Sequence, residues 1–139
     1  MKKLLVLIIA ALIAVPGAYR KLKAGKLKAV RVTTKTLIET GKASYYGRAH
    51  HGKLTSSGIP FDMHKLTAAS KYLPFGTQVE VVNKITGASV WVTITDRGPY
   101  CKGRVIDLSH AAAQRIGILA TGSAPVAIYQ WRTHEMERY

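Results

Sequence analysis

Hydrophobic and polar residues alternate most regularly in two neighbouring stretches, TQVEVVN and ASVWVTITD. Because side chains of a strand alternate between its two faces, each stretch predicts a half-buried strand. The connecting KITG contains a glycine, so the two strands are expected to form a hairpin. The side chains expected in its core are Val79, Val81, Val90, Val92 and Ile94.

Weaker patterns predict the remaining elements. GKASYYG indicates a short strand ended by Gly47, RAHHGKLTSSGIPFD a long polar loop, and APVAIYQW a last strand. KLTAASKYLPFG indicates a short apolar segment closed by a Pro-Phe-Gly turn. SHAAAQRIG predicts a helix, which Ser109 can cap and Gly117 can end. About six strands with one or two short helices favour a mainly β fold, a small closed barrel.

The first residues have the organisation of a secretory leader. Two lysines precede an apolar run from Leu4 to Val15, and Gly17 and Ala18 follow it. The run is shorter than the roughly 20 residues that cross a bilayer. Residues 1–18 are therefore predicted to be a signal peptide, with an uncleaved N-terminal anchor as the alternative. No cysteine directly follows the run, so we expect an exported periplasmic, envelope or extracellular protein that is not a lipoprotein.

Positive charge is concentrated after this leader. The chain has 21 Lys and Arg against 7 Asp and Glu, and residues 20–35 contain seven cations and no acid. Their apolar positions follow no helical or strand period, so residues 19–40 are predicted to be a flexible basic linker. An exported chain meets anionic lipid or envelope polymers, which are the expected contacts of the arm 20–35; nucleic acid is not expected. A merely solvated linker is the alternative.

The end of the second alternating stretch carries the candidate chemistry. Asp96 continues the apolar face of its strand at the point where a barrel would open. Burial there is expected to raise the pKa of its carboxyl, whereas Arg97 and Arg104 would favour the ionised form. From the residues alone, Asp96 is either a general acid–base group or a turn acid bonded to its own backbone. Asp107 is interpreted as a structural acid that anchors a loop or the helix start.

Four motifs occur in the order and spacing of a known family: GKASYYG with HHGKLTSSG, LTAASKYLPFGTQVEVVN, VTITDRGPY and GRVIDLSHAAAQRIG. Over about residues 41–130 the chain resembles the RlpA-like (rare lipoprotein A) septal-ring lytic transglycosylases. The resemblance implies a six-stranded double-psi β-barrel domain over residues 41–131, followed by a charged tail over 132–139. It also implies cleavage of peptidoglycan between N-acetylmuramic acid and N-acetylglucosamine without water, which leaves a 1,6-anhydro end.

The resemblance also implies roles for single residues. The family aspartate falls on Asp96, which would protonate the glycosidic oxygen and then accept the proton of the sugar's C6 hydroxyl. One acid suffices because that hydroxyl attacks, whereas a glycoside hydrolase usually needs two carboxyl groups. Each residue predicted to bind substrate could instead serve packing or surface charge. These residues are Tyr45, Tyr46, His51, Asp62, Ser70, Arg97, Tyr100 and Asp107.

No metal or cofactor is expected. His50 and His51 are adjacent, and adjacent side chains rarely converge on one ion; Cys101 is the single cysteine and cannot form an intramolecular disulfide. Two positions depart from the family pattern, which commonly has a glutamate after SG and a histidine after LTAA. Ile59 and Ser70 stand there in this chain. The alternative function is therefore a weakly active or inactive barrel that binds peptidoglycan or a cell-wall partner.

Overall fold

The structure, a computed structural model, describes residues 29–136, and this range contains six β-strands and one α-helix. The chain divides into two units, and residues 32–134 form one of them. In the other unit, which consists of residues near the two chain ends, Arg31 pairs with Glu135 at 3.0 Å. A short 3-10 helix, Arg48–His50, follows the first strand. The other elements are β1 (Val30–Tyr45), β2 (Thr67–Ala69), β3 (Gln78–Asn83), β4 (Ser89–Asp96), β5 (Arg104–Leu108), α1 (His110–Arg115) and β6 (Ala124–Met136).

The strands close into a barrel in the order β1-β5-β2-β4-β3-β6. Strands β3 and β4 form the predicted antiparallel hairpin, in which Val79 pairs with Val92 and Val81 with Val90. Strand β2 runs parallel to β4 and antiparallel to β5, and β1 runs parallel to β5. Closure leaves the sheet without a free edge, and the predicted closed barrel is confirmed.

The barrel interior is the hydrophobic core. All five side chains predicted there from the alternating stretches are buried, with at most 4% of their surface exposed. The other strands and the helix contribute further buried apolar side chains, among them Ala43, Ile106, Leu108, Ala113, Val126 and Ile128. The predicted helix cap is also confirmed, since Ser109 Oγ accepts the backbone N–H of Ala112 at 3.2 Å. The helix ends at Arg115, shortly before Gly117, whose φ of 74° is left-handed.

Two segments predicted to be irregular are partly β-structure. Strand β1 begins at Val30, within the predicted basic linker, and β6 continues to Met136, within the predicted charged tail. These strands are neighbours in the barrel, where the hydroxyls of Thr33 and Thr133 lie 3.2 Å apart. Most of the side chains concerned are exposed. Backbone pairing forms these extensions, and a hydropathy pattern therefore does not reveal them.

The predicted leader and the first part of the basic arm, residues 20–28, lie outside the described residues. The boundaries proposed for leader, linker, domain and tail stay predictions. Within residues 29–136, no helix has the length and apolar character that crossing a membrane requires.

Candidate active site

The candidate site lies where β2 ends between two acid-bearing strands. Ala69 pairs with Asp96 of β4 on one side and with Asp107 of β5 on the other. Neighbouring strands lie about 5 Å apart, so the backbones of the two aspartates are separated by about 10 Å. The barrel topology thus brings together the two acids of the stretch VTITDRGPYCKGRVIDLS, one in each of two strands that do not pair with each other.

Three donors surround the carboxylate of Asp96. Its Oδ1 accepts the backbone N–H groups of Ser56, at 2.8 Å, and Arg97, at 2.9 Å. Its Oδ2 accepts the hydroxyl of Tyr46 at 2.9 Å. The Ser70 amide binds the main-chain carbonyl of Asp96 at 3.1 Å. Contacts from several segments of the chain therefore fix the orientation of this carboxylate.

The net pKa of Asp96 is lowered. Burial raises it, but the hydrogen bonds from Ser56, Arg97 and Tyr46 stabilise the charged form by more. Of the two opposing effects expected from the sequence, stabilisation of the ionised form is therefore larger than the effect of burial. Arg97 contributes through its backbone N–H, which sequence proximity alone does not predict. Asp96 is an ionised carboxylate in the free protein near neutral pH.

Tyr46 is held as a neutral phenol. Burial and the hydrogen bond to Asp96 raise the pKa of its hydroxyl well above the ordinary value. Its ring packs edge-on against Phe61, with centroids 5.1 Å apart, and tilted against His50, at 5.3 Å. This packing keeps the phenolic proton directed at the carboxylate, so Tyr46 acts on Asp96 as a hydrogen-bond donor.

Ser56 is a site residue that sequence analysis missed. Its loop is closed by Thr55, whose backbone N–H and hydroxyl both donate to the carbonyl of Ile59, at 3.0 and 2.6 Å. Gly58 donates to the Thr55 carbonyl at 2.9 Å and has a φ of 82°, a conformation that favours glycine. The letters TSSG indicate a turn. That the Ser56 N–H donates to Asp96 is visible only in the folded structure.

Arg97 and Ser70 form one rim of the site. Arg97 Nη1 donates to the carbonyls of Ser70, at 3.1 Å, and Leu73, at 2.8 Å. Its guanidinium carbon lies 3.9 Å from the ring centroid of Phe75, a cation–π contact. Ser70 is only 3% exposed, and its Oγ accepts the amides of Tyr72 and Leu73 at 3.4 and 3.2 Å. The Ser70 hydroxyl therefore holds the turn that positions Arg97.

His51 and Asp62 lie together in the loop between β1 and β2. His51 Nδ1 accepts the backbone N–H of Met63 at 3.1 Å and lies 4.0 Å from Asp62 Oδ1. Asp62 Oδ1 also accepts the backbone N–H of His64 at 2.9 Å. Both side chains are partly exposed. Across residues 29–136, no three His, Cys, Asp or Glu side chains are grouped so that they could hold a metal ion.

The two remaining predicted tyrosines differ in placement. Tyr45 packs against the core, and its hydroxyl donates to the Leu119 carbonyl at 3.0 Å. Its neighbour Tyr46, one position along the backbone, reaches Asp96 instead. Tyr100 is 82% exposed beside the turn at Gly98. Of these side chains, Tyr100 presents the ring that a ligand can reach, whereas Tyr45 is engaged within the fold.

Asp107 has the environment of a structural acid. It is 8% exposed, accepts the hydroxyl of Ser44 at 2.8 Å and pairs with Arg104. Ser44 lies on β1, so these contacts join β1 to β5 beside the parallel pairing of the two strands. Asp96 differs because neutral donors hold its carboxylate at a strand end. The arrangement suits proton transfer at Asp96 and structural anchoring at Asp107.

The family described as lytic transglycolase matches residues 38–128. The endolytic peptidoglycan transglycosylase RlpA of Vibrio cholerae is 47% identical over 104 residues, which cover 75% of this chain and 40% of that protein. The probable endolytic peptidoglycan transglycosylase RlpA of Aquifex aeolicus is 51% identical over 85 residues, covering 61% and 38%. The chain thus spans about two fifths of the length of these curated relatives.

Two solved structures resemble this one. The Streptomyces papain inhibitor has 26% sequence identity and a TM-score of 0.53 over 70% of this chain and 94% of that one. The apo form of Clavibacter michiganensis expansin has 20% identity and a TM-score of 0.51, covering 78% and 53%, and shows likeness of fold alone. Together with the family match, these structures confirm the predicted double-psi β-barrel.

Proposed function

The chain belongs to the lytic transglycolase family, and from this membership we propose that it is an endolytic peptidoglycan lytic transglycosylase. Its substrate is the glycan strand of peptidoglycan, and the bond cleaved is the β-1,4 bond between N-acetylmuramic acid and N-acetylglucosamine. The observation that carries the proposal is the Asp96 carboxylate, held by Tyr46 and two backbone amides at the end of β4. The family's aspartate in the Asp-Arg-Gly-Pro motif corresponds to this residue.

Asp96 serves first as the acid and then as the base. The protonated carboxyl gives its proton to the glycosidic oxygen as the bond from that oxygen to C1 of the muramyl unit breaks. The C6 hydroxyl oxygen of the same unit forms a bond to C1, and its proton passes to Asp96. The carboxyl is then protonated again and no water is consumed, so one carboxyl group completes the reaction.

The protonation state of Asp96 sets the conditions of this reaction. In the free protein its lowered pKa keeps the acid form a minor species at neutral pH. A bound glycan excludes water from the carboxyl and raises its pKa, because desolvation disfavours the charged form. A lower pH also increases the protonated fraction of Asp96. The Tyr46 hydroxyl stays neutral throughout, since the pKa of Tyr46 is raised.

Groups around Asp96 are suited to bind the sugars on either side of the bond. The exposed ring of Tyr100 can stack against a sugar face. The guanidinium of Arg97, held by its cation–π contact with Phe75, can donate hydrogen bonds to sugar oxygens. His51 and Asp62 supply polar groups from the loop between β1 and β2, which also contains Ser56. The leader predicted over residues 1–18 supports export to the cell envelope, where this substrate is found.

The test is digestion of purified peptidoglycan sacculi with the full chain, followed by mass spectrometry of the released fragments. We expect muropeptides ending in 1,6-anhydro-N-acetylmuramic acid, and none of them with the Asp96→Asn variant. Fragments with reducing muramic ends would show hydrolysis and overturn the proposal. Sacculi that are bound but left uncut by the wild-type protein would instead support the alternative, a barrel that binds peptidoglycan without cleaving it.

A further inference from the structure

Both tryptophans of the chain lie side by side on the outer surface of the barrel. Trp91 of β4 is 46% exposed and Trp131 of β6 is 41% exposed. Their ring centroids are 6.0 Å apart, with the ring planes inclined at 47°. Exposed aromatic groups of this size, placed together, mark binding surfaces more often than isolated exposed apolar residues do. Neither tryptophan has a role in the reaction proposed above, which takes place at the end of β4.

The strand register explains why the rings meet. Glu80 of β3 pairs with Trp91 of β4 on one side and with Tyr129 of β6 on the other. Trp131 lies two positions after Tyr129 and so shares its face. The neighbouring positions on β3 and β4 point into the core, which turns this row outward. The aromatic face, defined as Trp91, Glu80, Tyr129 and Trp131, thus follows from the alternation of the strands.

The polar groups of this face are paired with one another. Glu80 Oε2 accepts the indole N–H of Trp131 at 2.9 Å and pairs with Lys35 Nζ at 2.9 Å. Lys35 Nζ also lies 4.2 Å from the ring centroid of Tyr129 and 5.2 Å from that of Trp131. These contacts hold the indole of Trp131 in one orientation, so a ligand meets rings that need little further ordering.

A groove borders the aromatic face. It has a volume of about 260 Å³ and is lined by Leu66, Gln78, Trp91, Val92 and Thr93. One wall is thus a tryptophan, and Gln78 and Thr93 offer an amide and a hydroxyl beside it. A small-molecule site combines apolar contact area with a few hydrogen-bonding groups in this way.

We propose that the aromatic face and its groove form a second glycan-binding surface, which takes N-acetylated pyranose units outside the catalytic centre. The C–H groups on one side of a pyranose ring form a flat apolar surface that fits against an indole. Its hydroxyl and acetamido groups fit the amide of Gln78 and the hydroxyl of Thr93. A stable protein partner would need an interface of about 800 Å² on each side, much wider than two indoles and one groove.

The position of the face relative to Asp96 fits one continuous polymer. Trp91 precedes Asp96 by five residues on β4, which corresponds to about 16 Å of strand. A glycan strand of several units is long enough to contact both places. That the ligand is the strand cleaved at Asp96 rests on the proposed function. Binding at two places would keep a long strand on the protein between cuts, as linked contacts raise the effective concentration.

The first experiment uses the tryptophans as reporters. Because Trp91 and Trp131 are the only tryptophans of the chain, the intrinsic tryptophan emission reports this face alone. The probe is the N-acetylglucosamine hexamer, which contains no muramyl unit and so is not cleaved by the proposed reaction. We expect a saturable change of emission on titration. An emission spectrum that stays constant up to millimolar hexamer would overturn the proposal.

Variants locate the binding. Trp91→Ala should weaken hexamer affinity about tenfold, the loss that corresponds to one aromatic contact, with Trp131 left as the reporter. Ile85→Ala is the matched control, because Ile85 is 75% exposed and lies in the β3–β4 turn. Equal affinity in the two variants would overturn the proposal. If Trp91→Ala fails to fold by circular dichroism, Trp91→Phe, which keeps a smaller ring, should still weaken binding relative to Ile85→Ala.

A third measurement separates this proposal from the proposed function. Asp96→Asn should keep the emission change while losing anhydro products. Trp91→Ala should keep kcat and raise KM for long glycan strands, with little effect on short fragments. Anhydro products without an emission response would refute the second surface and leave the function standing. An emission response without anhydro products in the wild type would refute the function and leave a glycan-binding surface.

Discussion

The hydroxyl of Tyr46 donates a hydrogen bond of 2.9 Å to Oδ2 of Asp96, the last residue of β4. Tyr46 directly follows β1, so this bond links the chain after β1 to the end of β4, and these two strands are not neighbours in the barrel. It also couples a phenol of raised pKa to a carboxyl of lowered pKa. The phenol stabilises the ionised carboxylate, and the acidity of Asp96 therefore depends on a residue 50 positions away in sequence.

Asp96→Asn should abolish formation of anhydro products while the fold is retained. A positioned acid–base group contributes about 10²–10⁴-fold, and the loss should lie at the upper end because no second acid shares the role. The measurement is anhydro-muramyl product per hour, with the melting temperature as a check of folding. Glu135→Gln is the control, because Glu135 is an exposed carboxylate that pairs with Arg31, and it should retain the activity. Unchanged turnover in Asp96→Asn would assign the acid to another residue.

The wild-type kcat/KM should rise as the pH falls from 7 towards 5. The protonated form of Asp96 is the proposed acid, and its pKa in the free protein is lowered. Tyr46→Phe removes one donor to the carboxylate, which raises the pKa of Asp96. The falling limb of the profile should then move to higher pH.

Tyr45→Phe is the control for that shift, because its hydroxyl donates to the Leu119 carbonyl instead. Its pH profile should match that of the wild type. Identical profiles for Tyr46→Phe and Tyr45→Phe would show that the acid which limits kcat/KM is not the carboxyl bound by Tyr46.

Ser70→Ala should lower the free energy of unfolding by about 1–3 kcal/mol, because the part-buried amides of Tyr72 and Leu73 lose their acceptor. Chemical denaturation measures this change. The exposed neighbour Lys71 provides the control Lys71→Ala, which should alter stability by less than about 0.5 kcal/mol. A stable Ser70→Ala protein with a displaced pH profile would contradict the structural role and favour a direct contact with substrate.

Ile59→Glu should be tolerated and should raise kcat. The backbone carbonyl of Ile59 is engaged by Thr55, whereas its side chain is 55% exposed. The RlpA-like family that this chain resembles commonly has a glutamate at this position. The same loop contains Ser56, whose amide donates to Asp96. Ile59→Gln is the control, because the glutamine side chain has the shape of glutamate without its charge. Equal kcat in the wild type and both variants would show that this chain cleaves without a carboxyl there.

Gly41→Ala should destabilise the barrel by about 1–3 kcal/mol, the usual cost of overpacking. A Cβ at position 41 would lie well inside van der Waals contact with the Val105 side chain on the neighbouring strand. Gly47→Ala is the control, since a Cβ there meets nothing within 4 Å. Thermal melts of both variants test the difference, and equal melting temperatures would contradict the packing of β1 against β5.

Local patterns predicted the elements whose formation depends on their own residues. Alternation predicted the β3–β4 hairpin and its buried valines, because a strand buries one face only. The Ser109 cap was predictable because the capping contact spans three residues. The exposed extensions of β1 and β6 were not predictable in this way, since pairing between distant backbones forms them and leaves no hydropathy signal.

The order of the residues was enough to predict the fold class, the hairpin core and the position of Asp96 at the end of an alternating strand. The protonation state of that carboxyl follows from the folded chain. Its pKa depends on the directions of the Ser56 and Arg97 amides and of the Tyr46 hydroxyl, and hydrogen bonds depend on distance and angle rather than on sequence order. The contact between Trp91 and Trp131 likewise depends on the folded chain, because residues 40 positions apart meet only once the barrel has closed.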